Sequence, residues 1–510
     1  MHGRSSAAYK IPNNGQPRRP PNFPQGDFWG VAPLPRNPAV GCVCGDLNYT
    51  HMMHDPSLYH QLLTEATRRA LAYLESIPDR RVFPSEEALR NLSRLGGPLP
   101  ATSEDPISVL KTLDDIGSPA TVTTTGGRYF GFVTGGALPA TVAAHWMAAV
   151  WDQNGSLNAL SPLAASLEEI ALGWLLDVLH LPTSSGGGFV TGAQMANFTS
   201  LAAARHAVLR KVGWDVEADG LFGAPPITVV TGEEMHVTVG KALAMLGLGK
   251  NRVVRVPPDG QGRMRTDALP RLNGPAIVCA QAGNVNTGAF DPFLPICEWA
   301  HSAGAWVHID GAFGLWAAAS EEYQHLVSGA EQADSWTIDA HKWLNVPQDS
   351  GIVIVRNADD LGAAMAITAA YLSPGQRREP MQWVPESSRR ARAIEIWAAL
   401  RSLGRRGLAN LIERTCSYAR MAAERLQAEG FTILNEVVLN QVLVSFGDAE
   451  TTQRVIRAIQ EDGTCWCGGT AWHGQTAMRI SIASWATDET DIERSLSAIN
   501  RIAKREAQKK

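Results

Sequence analysis

The middle of the chain alternates short apolar, β-rich runs with longer helical stretches. The runs are Ile227–Val230, Val253–Val256, Ala276–Cys279, Trp306–Ile309, Ser335–Ile338 and Ile352–Val355. Within them hydrophobic residues follow one another instead of alternating with polar ones, the mark of strands buried on both faces. Helical stretches such as Val237–Gly247 and Pro292–Ala303 fill the gaps. The pattern therefore predicts an α/β domain around a mostly parallel sheet flanked by helices. Upstream, Leu58, Leu62, Leu63, Ala66, Ala70, Tyr73 and Leu74 recur at helical spacing, and a second helix is predicted around Glu86–Leu95. Beyond Pro385 come two long helical stretches, Ser388–Leu403 and Leu408–Glu429. A shorter αβ pattern closes the chain: Val442–Val444, a helix near Thr451–Glu461, Met478–Ile482 and a final helix. Residues 1–55 are rich in Pro, Gly and Asn and have no hydrophobic period, which predicts an extended arm. The expected division is an arm over 1–55, a helical segment over 56–115, a large domain over 116–385 and a smaller C-terminal α/β domain over 386–510.

Composition changes this picture little. A chain of 510 residues suits a large domain with one or two smaller ones. Its 45 basic and 50 acidic side chains leave a net charge of -5, which gives no electrostatic reason to expect nucleic acid or an anionic membrane as partner. No run reaches the roughly 18 apolar residues of a membrane span, and the opening MHGRSSAAYKIPNN lacks an apolar signal core, so a cytoplasmic protein is expected. Cys42 with Cys44 and Cys465 with Cys467 have C-x-C spacing, a poor match to zinc sites. Reduced thiols and no metal are the expectation.

Four segments carry candidate chemistry. Asp310 ends the run Trp306–Ile309 and is followed by the small residues Gly311, Ala312 and Gly314. A carboxylate there faces the crevice where sheets of this kind bind ligands; taken alone, it reads more readily as a turn cap. Lys342 ends the next such region, in Asp339-Ala340-His341-Lys342-Trp343-Leu344. An apolar surround favours the neutral, nucleophilic amine. An isolated lysine is ordinarily a solvated charge, but successive strand ends would bring Asp310 and Lys342 to one crevice. Gly186–Gly192 with Ala193 and Gln194 leads into a helix expected to begin near Met195, a way of presenting backbone N–H groups to an anion or, equally, a flexible linker. His236 follows a predicted strand and could stack on an aromatic ligand or be a structural histidine.

Together these segments resemble the group II pyridoxal-phosphate (PLP) dependent amino-acid decarboxylases, relatives of the aromatic-L-amino-acid, histidine and glutamate enzymes. The resemblance rests on Val307–Gly314, Ala333–Pro347, Ala282–Pro292, Ser388–Arg392 and Met478–Ser481, and runs from about Leu58 to Ile499. It implies a fold-type I homodimer with a seven-stranded sheet and active sites at the subunit interface. It implies Lys342 as the residue that carries PLP as a Schiff base, Asp310 at the pyridine nitrogen, Ala312 on one ring face and His236 on the other. Thr191, Gly192, Ala193, Gln194 and His341 would hold the phosphate, with Asp339 and Asn284 beside the cofactor. Tyr129, Phe130, Leu138 and Pro139 would line the substrate pocket, with Arg479 near the substrate carboxylate or the mobile loop. Trp466 and Trp472, in a glycine-containing loop over Cys465–Gly474, either reach the pocket from the neighbouring subunit or simply pack the small domain. The expected reaction is decarboxylation of an L-amino acid, with an aromatic or bulky hydrophobic side chain.

The chain departs from the family pattern twice. Gly283-Asn284-Val285 stands where Gly-Thr-Thr is usual, and Asn is expected to keep the hydrogen bond. Pro380 stands where family decarboxylases carry a loop tyrosine that protonates the substrate carbon, while Tyr371 matches a structural tyrosine. The resemblance thereby leaves open aldehyde-forming oxidative deamination or carbon–carbon lyase chemistry, with His236 or Lys342 as the acid.

Overall fold

In a computed structural model, residues 56–367 and 378–509 are described. The predicted arm over 1–55, Cys42, Cys44 and Tyr371 lie outside them. The chain divides after Gln61, and Leu62–Lys510 forms one compact unit. Helix α1 spans Pro56–Ser76, followed by α2 (Glu86–Asn91), α3 (Pro106–Gly117), α4 (Pro139–Trp151) and α5 (Pro162–Val178). Start signals match the sequence: Ser85 and Asp105 cap α2 and α3 through their side chains, and α3, α4 and α5 each have proline in the first turn.

The seven-stranded sheet follows. Strand β1 (Gly186–Val190) feeds α6 (Ala193–Arg210), and the short α7 (Val216–Asp219) leads to β2 (Thr228–Gly232). Then come α8 (Val237–Met245), β3 (Val254–Val256), β4 (Ala276–Gln281), α9 (Phe293–Ser302), β5 (Trp306–Asp310), β6 (Ser335–Asp339), β7 (Gly351–Val355) and α10 (Ala358–Met365). Strand order is β1-β7-β6-β5-β4-β2-β3. All pairs are parallel except those of β7, which runs against both β6 and β1. Strand β1 therefore runs the same way as β6.

The continuous hydrophobic runs have their predicted cause. On β4, Ala276, Val278 and Ala280 enter one core, and Ile277 and Cys279 the other. On β7, Ile352 and Ile354 oppose Val353 and Val355 in the same way. The first core holds α5 residues and Trp316, Trp336 and Trp343; the second holds α6 and α8. Burying both faces removes the polar alternation.

Two sequence expectations need correction. The glycine run is strand β1, not a loop, because its neighbours press too closely for side chains. A Cβ on Gly187 would lie 2.6 Å from the Val353 carbonyl oxygen, and one on Gly188 would lie 2.5 Å from Val384. Helix α11 (Ala393–Ala428) carries the two helical stretches expected after Pro385 and breaks between them at Gly404, where φ is 60° and ψ is -178°. It packs on α4, α5 and β9. Strand β8 (Thr432–Ile433), β9 (Gln441–Ser445), α12 (Ala449–Asp462), β10 (Gly468–Trp472), β11 (Gln475–Ser481) and α13 (Glu489–Ala507) complete the chain. Their sheet has the order β10-β11-β9-β8. The expected loop over Cys465–Gly474 is largely strand β10 of a hairpin with β11.

Candidate active site

The loops after β1, β2, β4, β5 and β6 all leave the same edge of the sheet and close round one cavity of about 370 Å³. From β1 and α6 come Gly192, Ala193 and Gln194, and from the start of α8 come His236 and Thr238. The β4 loop contributes Gln281, Gly283 and Val285, and the β5 loop contributes Asp310, Ala312 and Phe313. Asp339 and Lys342 complete this wall, and Arg479 arrives from β11. Crossing strands by register places Gln281 beside Asp310. The convergence expected for Asp310 and Lys342 is thus present.

Each charged group has a structural reason for its place. Asp310 is 5% exposed; its Oδ1 accepts the Ala312 backbone N–H at 3.2 Å and its Oδ2 accepts the Asn197 amide at 3.0 Å. Lys342 is half-buried, with Nζ 5.5 Å from the Phe313 ring centroid. Asp339 clasps two loops: Oδ1 accepts the His341 N–H at 3.0 Å and Oδ2 accepts the Ala193 N–H at 3.2 Å. The lysine turn is thereby tied to the start of α6, where Gly192 caps the helix without a side-chain bond. Gly351 lets β7 approach this point, since a Cβ there would lie 2.4 Å from the Gly192 carbonyl carbon.

His236 caps α8: its Nδ1 accepts the Thr238 N–H at 3.4 Å and lies 2.7 Å from Thr238 Oγ1. Burial pushes its imidazole below the ordinary value; Asp310 opposes this, and Lys342 and Arg479 add to it. Arg479 donates from Nη1 to the Val285 carbonyl at 3.1 Å and forms no ion pair among the described residues.

Not every expected residue reaches the cavity. Thr191 and His341 lie just outside its lining; His341 Nδ1 donates to the Val346 carbonyl at 2.8 Å, and its Nε2 is buried without a partner among the described residues. Asn284 turns its carbonyl onto its own loop, accepting from Asn286 N at 2.9 Å and Thr287 N at 3.2 Å. Its flanking residues Gly283 and Val285 face the cavity instead. Phe130 is in the core of the C-terminal sheet, because its N–H and carbonyl bond to Trp466 and Ser481. Leu138 is in the large-domain core, and Pro139 lines a separate apolar cavity. Trp472 is 4% exposed on β10 and packs toward Gly262 within its own chain.

Phe132, which sequence reasoning passed over, lines the cavity and is 63% exposed. It adopts a left-handed backbone (φ 53°), as does Val133 (φ 58°), a strained arrangement more common at functional positions. Its ring centroid lies 5.5 Å from that of Trp466, which stacks on Tyr129 at 5.1 Å. Tyr129 thus backs the aromatic wall at one remove. Asn197 and His308 were also passed over. His308 sits two residues before Asp310 on a strand, so the two side chains share a face, and that spacing was a usable signal.

A family model described as "Pyridoxal-dependent decarboxylase conserved domain" matches residues 99–447. L-2,4-diaminobutyrate decarboxylase of Rhizobium meliloti (strain 1021) is 29% identical over 376 residues, covering 69% of this chain and 72% of that protein. Aromatic-L-amino-acid decarboxylase of Bacillus atrophaeus is 30% identical over 278 residues, covering 52% of this chain and 55% of the other. The crystal structure of Oryza sativa TDC with PLP and tryptamine superposes with a TM-score of 0.81 at 21% identity, over 89% of this chain and 99% of that one.

Proposed function

This chain belongs to the pyridoxal-dependent decarboxylases and is a PLP-dependent amino-acid carboxy-lyase; from that premise we propose that its reaction occurs in the Asp310–Lys342 cavity, on an L-amino acid with an aromatic or other bulky apolar side chain. The cavity suits the cofactor. It holds a primary amine, a carboxylate already oriented by two N–H donors, and a helix start with the buried Nε2 of Gln194, which has no partner among the described residues, beside it. In this reading Lys342 is the covalent anchor and Asp310 the partner of the ring nitrogen. Ala312 and His236 take the two ring faces, and Ala193, Gln194 and His341 the phosphate. His341 already donates from Nδ1, so only its imidazolium can give a second hydrogen to an anion. Bound PLP supplies the electron sink for the pair left when the carboxylate departs.

The chain's own groups do the rest. Arg479, which forms no ion pair among the described residues, offers its guanidinium to the substrate carboxylate. The hydrogen bonds at Nδ1 of His236 leave its single hydrogen on Nε2, so the Lys342 ammonium, or His236 once it holds a second proton as imidazolium, returns a proton to the substrate carbon. The observation that carries the side-chain preference is Phe132, an exposed ring at the cavity and the front of the Phe132–Trp466–Tyr129 stack. Both carboxylates of the lining, Asp310 and Asp339, already accept N–H bonds within the chain. That leaves no ready partner for a second substrate ammonium among the described lining residues.

The proposal includes a homodimer. Trp146, Met147, Val150, Leu160, Leu163 and Ile170 are exposed on and around α4 and α5, an apolar surface of the kind subunits cover. A cytoplasmic location is supported by the five described cysteines, all free thiols.

The test is to incubate the holoenzyme with each L-amino acid and follow carbon dioxide, amine, aldehyde and peroxide together. Equal carbon dioxide and amine, greatest with aromatic substrates, is expected. Aldehyde with oxygen uptake and peroxide would replace this reading by oxidative deamination, the outcome to which Pro380 points. That residue is buried at the start of a 3-10 turn, and its side chain carries no hydroxyl. Preferred turnover of diamino or acidic substrates would overturn the aromatic assignment.

A further inference from the structure

Behind Asp310 lies a line of buried polar groups that the reaction as described does not use. Trp306 Nε1 is 2.9 Å from Ser335 Oγ, and Ser335 Oγ is 2.9 Å from His308 Nδ1. His308 Nε2 is 2.8 Å from Asn197 Oδ1, and Asn197 Nδ2 is 3.0 Å from Asp310 Oδ2. Asn197, His308 and Ser335 are each 0% exposed. A buried polar chain of this length is costly unless every member is satisfied.

We propose that Asn197, held by His308, is a positioning residue that sets the orientation of the Asp310 carboxylate toward the cofactor. An indole N–H can only donate, so Ser335 accepts from Trp306, and among the described residues His308 Nδ1 is the acceptor within reach of the Ser335 hydroxyl hydrogen. His308 then carries its hydrogen on Nε2 and donates to Asn197 Oδ1. That contact selects one of the two amide orientations of Asn197, with its NH2 group facing Asp310. The opposite orientation would set the amide oxygen against a carboxylate oxygen and the NH2 against an N–H. Full burial supports the assignment by pushing His308 down to about 4, which keeps it a neutral, one-hydrogen ring.

The same amide reaches the other side of the cavity. Asn197 Nδ2 lies 3.3 Å from Thr238 Oγ1, which frees the Thr238 hydroxyl hydrogen for His236 Nδ1 at 2.7 Å. One asparagine on α6 therefore aligns both the carboxylate and, through Thr238, the histidine. With donors on both oxygens from behind, Asp310 keeps its remaining lone pairs for the cavity.

This inference rests on the reading that Asp310 serves the cofactor, and Asp310→Ala separates the two. The variants are Asn197→Asp, which swaps the donor for an acceptor of equal shape, His308→Leu, which removes the donor to Asn197, and His308→Gln, whose amide can restore it. Readouts are the dissociation constant for PLP, the pH dependence of the bound cofactor's visible band, kcat and KM, and ¹⁵N-histidine NMR of the apoprotein. The expected result is a fall in kcat of about 100-fold and a comparable loss of PLP affinity in Asn197→Asp, with KM within about threefold. His308→Gln should recover at least about tenfold of what His308→Leu loses, and NMR should show the hydrogen of His308 on Nε2. If Asp310→Ala destroys the band's pH response while Asn197→Asp and His308→Leu leave band, affinity and kcat unchanged, the inference fails alone. A His308 hydrogen on Nδ1 would also overturn it. If Asp310→Ala itself changes nothing, the reading of Asp310 fails.

Discussion

At the scale of single residues, the cavity shows which side chains act directly and which only support. Lys342, Asp310, His236 and Arg479 line it; Phe130 and Leu138, close in sequence to Phe132, do not. A run such as Tyr129-Phe130-Gly131-Phe132 does not say which ring faces a ligand, because strand alternation and a left-handed turn give opposite answers. The turn wins here, since Gly131 has no room for a Cβ against the Trp466 ring, 2.3 Å away, and Phe132 is thrown outward. Phe132→Ala is expected to raise KM for an aromatic substrate roughly tenfold, the equivalent of about 1.4 kcal/mol of lost ring contact. Its unfolding midpoint should stay near that of the parent, because the ring is mostly exposed. Steady-state kinetics beside a urea titration checks both; a stability loss without a KM change would place Phe132 in the structure only.

At the scale of elements, the strands with branched apolar runs were legible and the glycine strand was not. Strands β2 and β4 to β7 fall within a residue or two of their sequence limits because burial on both faces leaves a continuous hydrophobic signal. Strand β1 reads Gly186-Gly187-Gly188-Phe189-Val190, and glycine has low strand preference. What makes it a strand is pressure from Val353 and Val384, which are distant in sequence. The same crowding yields a prediction. Gly351→Ala puts a methyl group into the backbone at Gly192, and overpacking of this kind costs about 1–3 kcal/mol. Because Gly192 and Ala193 start α6 and Asp339 clasps them, the shift should also weaken PLP retention. Urea unfolding and the cofactor's absorbance on dilution measure the two effects. Unchanged values in both would mean that the β7–α6 approach relaxes freely.

At the scale of the whole molecule, the exposed apolar side chains on α4 and α5 raise the question of assembly. A glutamate at Val150, which is 64% exposed, should disturb folding little and an interface strongly. If a second copy covers this face, Val150→Glu should raise the dimer dissociation constant at least about tenfold, since burying such a side chain contributes about 1.5–3 kcal/mol. Sedimentation at a series of concentrations reads this directly; a parent chain that is monomeric and fully active at micromolar concentration would sink the dimer. The sequence by itself determined the α/β class, the buried strands, the family and the Asp310–Lys342 pair. Each of these depends on local periodicity or on residues held within one short segment. Only the tertiary structure decided that Gly186–Val190 is a strand, that Phe132 rather than Phe130 faces the cavity, and that Asn197 and His308 stand behind Asp310. Those outcomes depend on contacts between segments a hundred or more residues apart, such as Asn197 with His308 and Asp310. Space and hydrogen-bond direction, which no single segment contains, choose among them.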